Sequence, residues 1–147
     1  SQIEGVQRYV AENFGYLPCE IVHGAAHQVL SAADVAIVAS GTASLEALLC
    51  RTPMVVCYRM AFPTYHIIRR MVTIPHIAIP NILAGRELGP ELIQNEVTPE
   101  AICKQMHFWL EDSERRSGFL DVSVSLHKEL RRDAAKNAAR AVYRLLK

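Results

Sequence analysis

The sequence predicts an α/β fold, a Rossmann-like parallel sheet with flanking helices that is followed by a helical tail. Two nearly continuous apolar runs, residues 34–39 and 54–58, are typical of parallel strands that are covered on both faces. Helical patterns separate the apolar runs, and this alternation predicts right-handed crossovers within one sheet. The 147 residues suffice for one domain with one hydrophobic core.

The amino-terminal third begins with apolar residues at helical spacing, which predicts an amphipathic helix over residues 2–14. A short strand is expected at 19–22 and a second helix at about 25–33. The buried strand 34–39 then passes through a small turn into a helix over 43–51, which is rich in alanine and leucine.

The middle third continues with the buried strand 54–58 and a helix over 63–72. Prolines on both sides bound a fourth strand that we predict at 76–79. A polar loop or short helix start is expected at 81–89, and a short helical turn at 90–94.

The last third is helical. Thr98 is a predicted N-cap with proline at the first helical position, and this helix should reach Leu110. A further helix opens at Ser113 and runs to the end, either continuously or with a break near Arg132-Asp133. We therefore divide the chain into an α/β part and a set of carboxyl-terminal helices, at 1–110 and 111–147.

The composition argues against several classes of function. The formal net charge of +1 provides no basic footprint for nucleic acid. No cysteine belongs to a Cys-x-x-Cys pair, and Cys50 and Cys57 lie in apolar segments, so we expect reduced thiols and a cytosolic compartment. His23 and His27 could share a helical face, but no third ligand follows at a zinc-like spacing, so no metal is expected.

Neither a signal peptide nor an apolar run of the roughly 20 residues that span a bilayer is visible. The chain starts without methionine, inside a predicted helix, so we expect it to be part of a longer protein.

The most informative local pattern is the turn Ser40-Gly41-Thr42 between a buried strand and a helix. The first amides of a helix lack partners and attract phosphate, and Gly41 allows close approach of an anion. Thr42 or Ser44 could cap the helix or donate a hydroxyl to the phosphate. Glu46, one helical turn further, could accept hydrogen bonds from ribose hydroxyls. The alternative is a capped turn with a solvent-facing glutamate; the position at a strand's carboxyl end favours the ligand site.

Two further candidates follow the later strands. Asn81 and Arg86 come after the predicted strand 76–79, so we expect them at the same sheet edge as the Ser40 turn. On that placement, Asn81→Ala should change thermal stability little. Arg86 provides a planar fork for phosphate, unless it only forms a surface pair with Glu87. Arg59, just past strand 54–58, faces a diphosphate or caps a neighbouring helix.

These three segments together resemble one family. Ala-Ser-Gly-Thr-Ala-Ser-Leu-Glu at 39–46, a proline-led strand ending Tyr-Arg-Met at 53–60, and Ile-Pro-Asn-Ile-Leu-Ala-Gly-Arg-Glu at 79–87 are similar to the lipid-A-disaccharide synthases. The last motif is the most specific, with Ile79 in place of the usual leucine. The similarity runs from about residue 20 to the end, but residues 61–66 depart from the family's loop.

The resemblance implies that the chain is a truncated donor-binding domain. It would belong to an inverting glycosyltransferase with two Rossmann-like domains (GT-B type). The intact enzyme would transfer 2,3-diacylglucosamine from its UDP donor to a lipid X-type acceptor, 2,3-diacylglucosamine 1-phosphate, forming a β-1,6 disaccharide and UDP. It would need no cofactor. The donor-nucleotide contacts implied are Ser40, Gly41, Thr42 and Glu46, to which the residue pattern adds Arg59; the implied catalytic-cleft residues are Asn81 and Arg86.

The acceptor domain and the catalytic base of this family have no counterpart in the chain, so we expect the segment alone to be inactive. Acylated substrates imply that the intact enzyme is peripheral on the cytoplasmic face of the inner membrane. Whether it forms a homodimer is left open by the sequence. Two other functions remain: another UDP-sugar transferase of the same architecture, and a non-catalytic α/β interaction module. Binding of UDP would separate the module from both enzymes.

Overall fold

The computed structural model describes residues 2–39, 41–61, 64–65, 75–131 and 133–145. Within them, three strands and seven α-helices are formed. In chain order these are α1 (Gln2–Phe14), α2 (Ala26–Ala32), β1 (Ala36–Ala39), α3 (Thr42–Leu49), β2 (Met54–Tyr58), α4 (Ile79–Ala84), β3 (Glu91–Ile93), α5 (Pro99–Glu111), α6 (Ser113–Leu130) and α7 (Ala134–Leu145). A 3₁₀ turn, Gln94–Glu96, follows β3 directly.

The three strands form one parallel sheet in the order β1-β2-β3. β2 lies at the centre, and its first three residues, Met54–Val56, are at most 1% exposed. Helix α3 packs between the sheet and the later helices, with Leu48 completely buried. The predicted α/β fold with a Rossmann-like parallel sheet and flanking helices is therefore confirmed.

Strand β1 differs from the prediction in its environment. We expected both of its faces to be covered, but Ile37 is 51% exposed, so the face of β1 that carries Ile37 is largely open. The strand predicted at 19–22 is not formed; that segment has no regular structure. A run of β-branched residues forms a strand only where a neighbour pairs its backbone, and no described strand does so here.

Two adjacent predictions in the middle of the chain are also wrong. The predicted strand 76–79 is absent, because helix α4 begins at Ile79 with Pro80 in its first turn, where proline suits the helix. The predicted helical turn 90–94 is instead strand β3, which pairs with β2, followed by the 3₁₀ turn. Of the helix predicted over 63–72, only residues 64 and 65 lie within the described part, and both are helical.

The carboxyl-terminal helices agree with the prediction. The Thr98 side chain accepts a hydrogen bond from the Ala101 amide and so caps α5. The fully buried Trp109 of α5 donates its indole N–H to the Met54 carbonyl at 3.0 Å, and this hydrogen bond holds α5 against the start of β2. The break is confirmed between α6 and α7. No helix in the described part is long and apolar enough to cross a membrane.

Candidate functional site

The turn between β1 and α3 has a backbone conformation that requires glycine. Gly41 precedes the helix with φ +127°, a conformation that residues with a side chain rarely adopt. The Ser44 hydroxyl donates to the Gly41 carbonyl at 2.7 Å and holds the turn from inside the protein. Among the described residues no side chain caps this helix, so the capping role considered for Thr42 is not observed. Thr42 is exposed, and Ser40 lies outside the described residues.

A cavity of about 470 Å³ lies beside this turn, along the open edge of β1. Glu46 of α3 stands in its wall next to Ala43, as the helical spacing from the turn predicted. Glu20 is a second carboxylate in the wall, and it was not recognised from the sequence. The remaining lining comes from β1, α2 and the segment before α2: Val22, Gly24, Ala26, Val29, Leu30, Ile37, Val38 and Ala39. The cavity is therefore largely apolar, with two acidic side chains.

Asn81 lies outside that cavity, in a buried network of its own. Its side chain is 1% exposed. The amide nitrogen donates to the Gly89 carbonyl at 2.8 Å and to the Glu91 carboxylate at 2.7 Å. The amide oxygen accepts from the amides of Leu88 and Gly89 at 2.8 and 3.1 Å. These four hydrogen bonds use the full capacity of an asparagine side chain, so Asn81 shapes the 85–90 loop from within.

Glu91 completes this network and was missed by the sequence analysis. Its carboxylate accepts from the backbone amides of Ile77 and Ala78 at 2.9 and 3.0 Å, in addition to Asn81. A carboxylate at the start of α4 satisfies amides that have no partner within the helix. A single glutamate before two apolar residues carries no local signal for this role, because its partners lie 10 to 14 residues away.

The two arginines are both exposed. Arg86 follows Gly85, which ends α4 in the left-handed conformation with φ +64°. Among the described residues, the Arg86 guanidinium has no hydrogen-bond or ion-pair partner, and the alternative pair with Glu87 is not formed. Arg59 follows the carboxyl end of β2 and donates its Nε to the Gln94 carbonyl at 3.1 Å.

The structure does not bring all the predicted residues together. Of the predicted residues that the structure describes, only Glu46 lines the cavity. Gly41 and Thr42 lie where the β1–α3 turn enters the helix, and Arg59, Asn81 and Arg86 do not line the cavity. The expectation of a shared sheet edge rested on the strand 76–79, which is absent. The loop after α4 instead returns to the amino end of β2, where an added Cβ on Gly89 would meet the Met54 carbonyl at 2.9 Å.

Comparison with known proteins decides the family. The model of the lipid-A-disaccharide synthetase family matches residues 1–144 of the chain. The chain belongs to the lipid-A-disaccharide synthase family. The synthase of Pseudomonas aeruginosa strain LESB58 is 47% identical over 130 residues, which cover 88% of this chain and 34% of that protein. That of Pseudomonas putida strain GB-1 is 45% identical over 131 residues, 89% of this chain and 34% of the relative.

The chain thus spans about a third of the length of the lipid-A-disaccharide synthases that it matches. Its parallel sheet and flanking helices agree with the Rossmann-like architecture expected for this GT-B family. The resemblance seen in the three sequence motifs is confirmed. The roles of the individual site residues stay predictions.

The cysteines of this synthase-family chain are all free thiols, as predicted. Cys50 places its sulfur 3.5 Å from the His27 ring, so His27 faces a thiol rather than His23. Within the described part of the chain, no three His, Cys, Asp or Glu side chains are grouped to hold a metal ion. Partial burial raises the pKa of the Cys57 thiol, because desolvation disfavours the thiolate.

The partly buried Cys57 and the exposed Cys19 and Cys103 should therefore react with a thiol reagent in a defined order. Iodoacetamide at pH 8 should modify the exposed Cys19 and Cys103 first and Cys57 clearly later, since the thiolate is the nucleophile and burial raises its pKa. Mass spectrometry of peptides from timed samples measures the order. Complete labelling in urea provides the control, and equal rates for Cys57 and Cys103 in the folded protein would contradict the assigned burial.

Proposed function

We propose that this chain forms the donor-nucleotide site of a glycosyltransferase of lipid A biosynthesis. The observation that carries the proposal is the cavity at the carboxyl end of β1, which Ala39, Ala43 and Glu46 line on either side of the Gly41 turn, in a member of the lipid-A-disaccharide synthase family. Ligands of open α/β sheets bind outside the carboxyl ends of the parallel strands.

The cavity walls suit the parts of a uridine diphosphate. Val22, Val29 and Ile37 offer apolar surface to the faces of a planar base. The Glu46 carboxylate can accept hydrogen bonds from two ribose hydroxyls. The free amides at the start of α3 and the flexible backbone at Gly41 suit the diphosphate, whose negative charge the helix dipole favours.

We further propose the family reaction for the intact protein. A hydroxyl of 2,3-diacylglucosamine 1-phosphate attacks the anomeric carbon of UDP-2,3-diacylglucosamine, a base takes the hydroxyl proton, and UDP leaves with inversion. This chain would stabilise the departing diphosphate, and the base would come from the rest of a protein about three times as long. The segment alone is then inactive, and the acylated substrates place the intact enzyme at the cytoplasmic face of the inner membrane.

Substitution of Glu46 tests the proposal directly. Glu46→Ala should weaken UDP binding at least tenfold, because hydrogen bonds to a charged acceptor are each worth roughly 1.5–3 kcal/mol. Isothermal titration calorimetry measures the affinity of the full-length protein. Glu100→Ala, an exposed glutamate on α5, is the matched control and should bind as the wild type does. Equal affinity of Glu46→Ala and the control would refute the ribose contact.

The same titration addresses the other two functions. A non-catalytic interaction module would not bind UDP at any reasonable concentration. Another UDP-sugar transferase would bind UDP, but membership of the lipid-A-disaccharide synthase family favours the acylated glucosamine donor over other sugars. Product formation from the two acylated substrates, followed by mass spectrometry on the full-length protein, distinguishes these two enzymes.

A further inference from the structure

Helix α7 lies apart from the core of the described chain. All of its described side chains, from 136 to 145, are exposed. The apolar ones are no exception, since Val142 is 57% exposed and Leu145 is 87% exposed. No other described helix or strand packs extensively against α7. The described part of the chain therefore leaves Val142 and Leu145 largely uncovered.

The two faces of α7 differ in chemistry. Ala138, Val142 and Leu145 are separated by four and three residues, so they lie in one row along the helix. The cations of the helix are four residues apart and form a second row, on the opposite side: Lys136, Arg140 and Arg144. The helix is therefore amphipathic, with a wholly basic polar face.

Charge distinguishes α7 from the rest of the chain. Its 12 residues include three cations and no aspartate or glutamate, whereas the whole chain has a formal net charge of +1. The other described helices that contain lysine or arginine, α1, α5 and α6, also contain acidic residues. A basic row opposite an apolar row is typical of helices that lie in the surface of an anionic membrane.

The length of α7 determines how it can meet a bilayer. A helix needs about 20 residues to span the hydrocarbon core, and α7 has 12. It can therefore lie along the surface but not cross it. In that orientation the apolar row enters the boundary between headgroups and acyl chains, and the basic row stays at the level of the lipid phosphates.

We propose that α7 docks the intact enzyme on a bilayer that contains anionic phospholipid. This inference rests on the proposed function, in which the acylated substrates require a membrane surface. A protein surface could cover the apolar row, but it would give no reason for three cations without an acidic neighbour. An anionic bilayer satisfies both rows at once, because it offers acyl chains to one and phosphates to the other.

Sedimentation of the full-length protein with lipid vesicles tests the basic row. The wild type should bind vesicles of phosphatidylglycerol and phosphatidylcholine in equal amounts, and pure phosphatidylcholine about tenfold more weakly or less. Lys136→Gln combined with Arg140→Gln should lower binding to the anionic vesicles about tenfold or more. Arg8→Gln combined with Lys104→Gln removes the same charge from other exposed positions and is the matched control. Equal binding by these two variants would overturn the inference.

The apolar row is tested by Val142→Ser combined with Leu145→Ser. This variant should also lose vesicle binding about tenfold or more, while the lipid-free protein keeps its size and its unfolding temperature. Unchanged vesicle binding, together with a smaller assembly or a lower unfolding temperature, would show that a second copy or the remainder of the chain covers the row. That result would overturn the inference.

UDP binding, measured by calorimetry, should be the same in all of these variants. Failure of the wild-type protein to bind UDP would overturn the proposed nucleotide site. Failure of the wild-type protein to bind the anionic vesicles would overturn the docking role of α7, so the two failures are distinguishable.

Discussion

Replacement of Asn81 by alanine should lower the free energy of unfolding by about 3 kcal/mol or more. The Asn81 side chain is buried and makes four hydrogen bonds to Gly89, Glu91 and Leu88. Alanine would leave two backbone amides, one carbonyl and one carboxylate oxygen without this partner in a place that water reaches poorly. Turnover should also fall by about 10²-fold, because the loop that carries Arg86 would lose the hydrogen bonds that fix its backbone.

Urea denaturation followed by circular dichroism measures the loss of stability. Asn95→Ala, at an exposed asparagine, controls for the loss of an amide side chain and should lie within about 0.5 kcal/mol of the wild type. Sequence reasoning expected little change in stability, because it placed Asn81 in an open cleft; the burial of the side chain reverses that expectation. An unfolding midpoint equal to that of Asn95→Ala would show that the network contributes nothing.

Arg86→Ala should lower turnover without the loss of stability that we expect for Asn81→Ala. Arg86 does not line the cavity at β1, but the family motif at 79–87 implies a place in the catalytic cleft of the intact enzyme. On that implication we expect turnover to fall by about 10²-fold, the cost of one donor that acts in the transition state, with no loss of stability. The side chain is exposed and has no hydrogen-bond or ion-pair partner in the described part of the chain, so its removal breaks no such bond among these residues. Asn81 fixes the backbone of the loop that carries Arg86 through hydrogen bonds to Leu88 and Gly89. A fixed backbone holds the guanidinium in a defined direction.

Steady-state kinetics of the full-length protein with both acylated substrates, together with thermal unfolding, separates stability from activity. Arg86→Lys should recover only part of the activity, because an ammonium lacks the planar fork. Glu87→Ala, at the neighbouring exposed residue, is the control. Wild-type turnover of Arg86→Ala at saturating substrate would show that the arginine takes no part in the reaction.

Much of the fold follows from local signals. The apolar runs predicted β1 and β2, and the Thr98-Pro99 pair predicted the start of α5 within a residue. The Gly41 turn was recognisable because glycine between a buried strand and a helix has few other uses, and its φ of +127° agrees. Each of these features depends on interactions within a few residues of the chain, so the pattern is visible in the sequence.

The segments 76–79 and 90–94 were assigned wrongly for the opposite reason. Both are short, and a short apolar stretch fits a strand, a helix or a buried turn equally well. Contacts with distant residues decided between these states: Glu91 binds the amides of Ile77 and Ala78, and β3 pairs with β2.

The sequence by itself determined the α/β class, the β1–α3 turn with Glu46 one helical turn beyond it, and the family. Only the tertiary structure decided that the buried Asn81 side chain holds the loop after α4, that Glu91 binds the Ile77 and Ala78 amides before α4, and that the Gln94 side chain pairs with the Met60 backbone. These three roles depend on hydrogen bonds between side chains and groups 7 to 34 residues away. Such bonds form only after the sheet has brought the segments together, and they leave no periodic pattern along the chain.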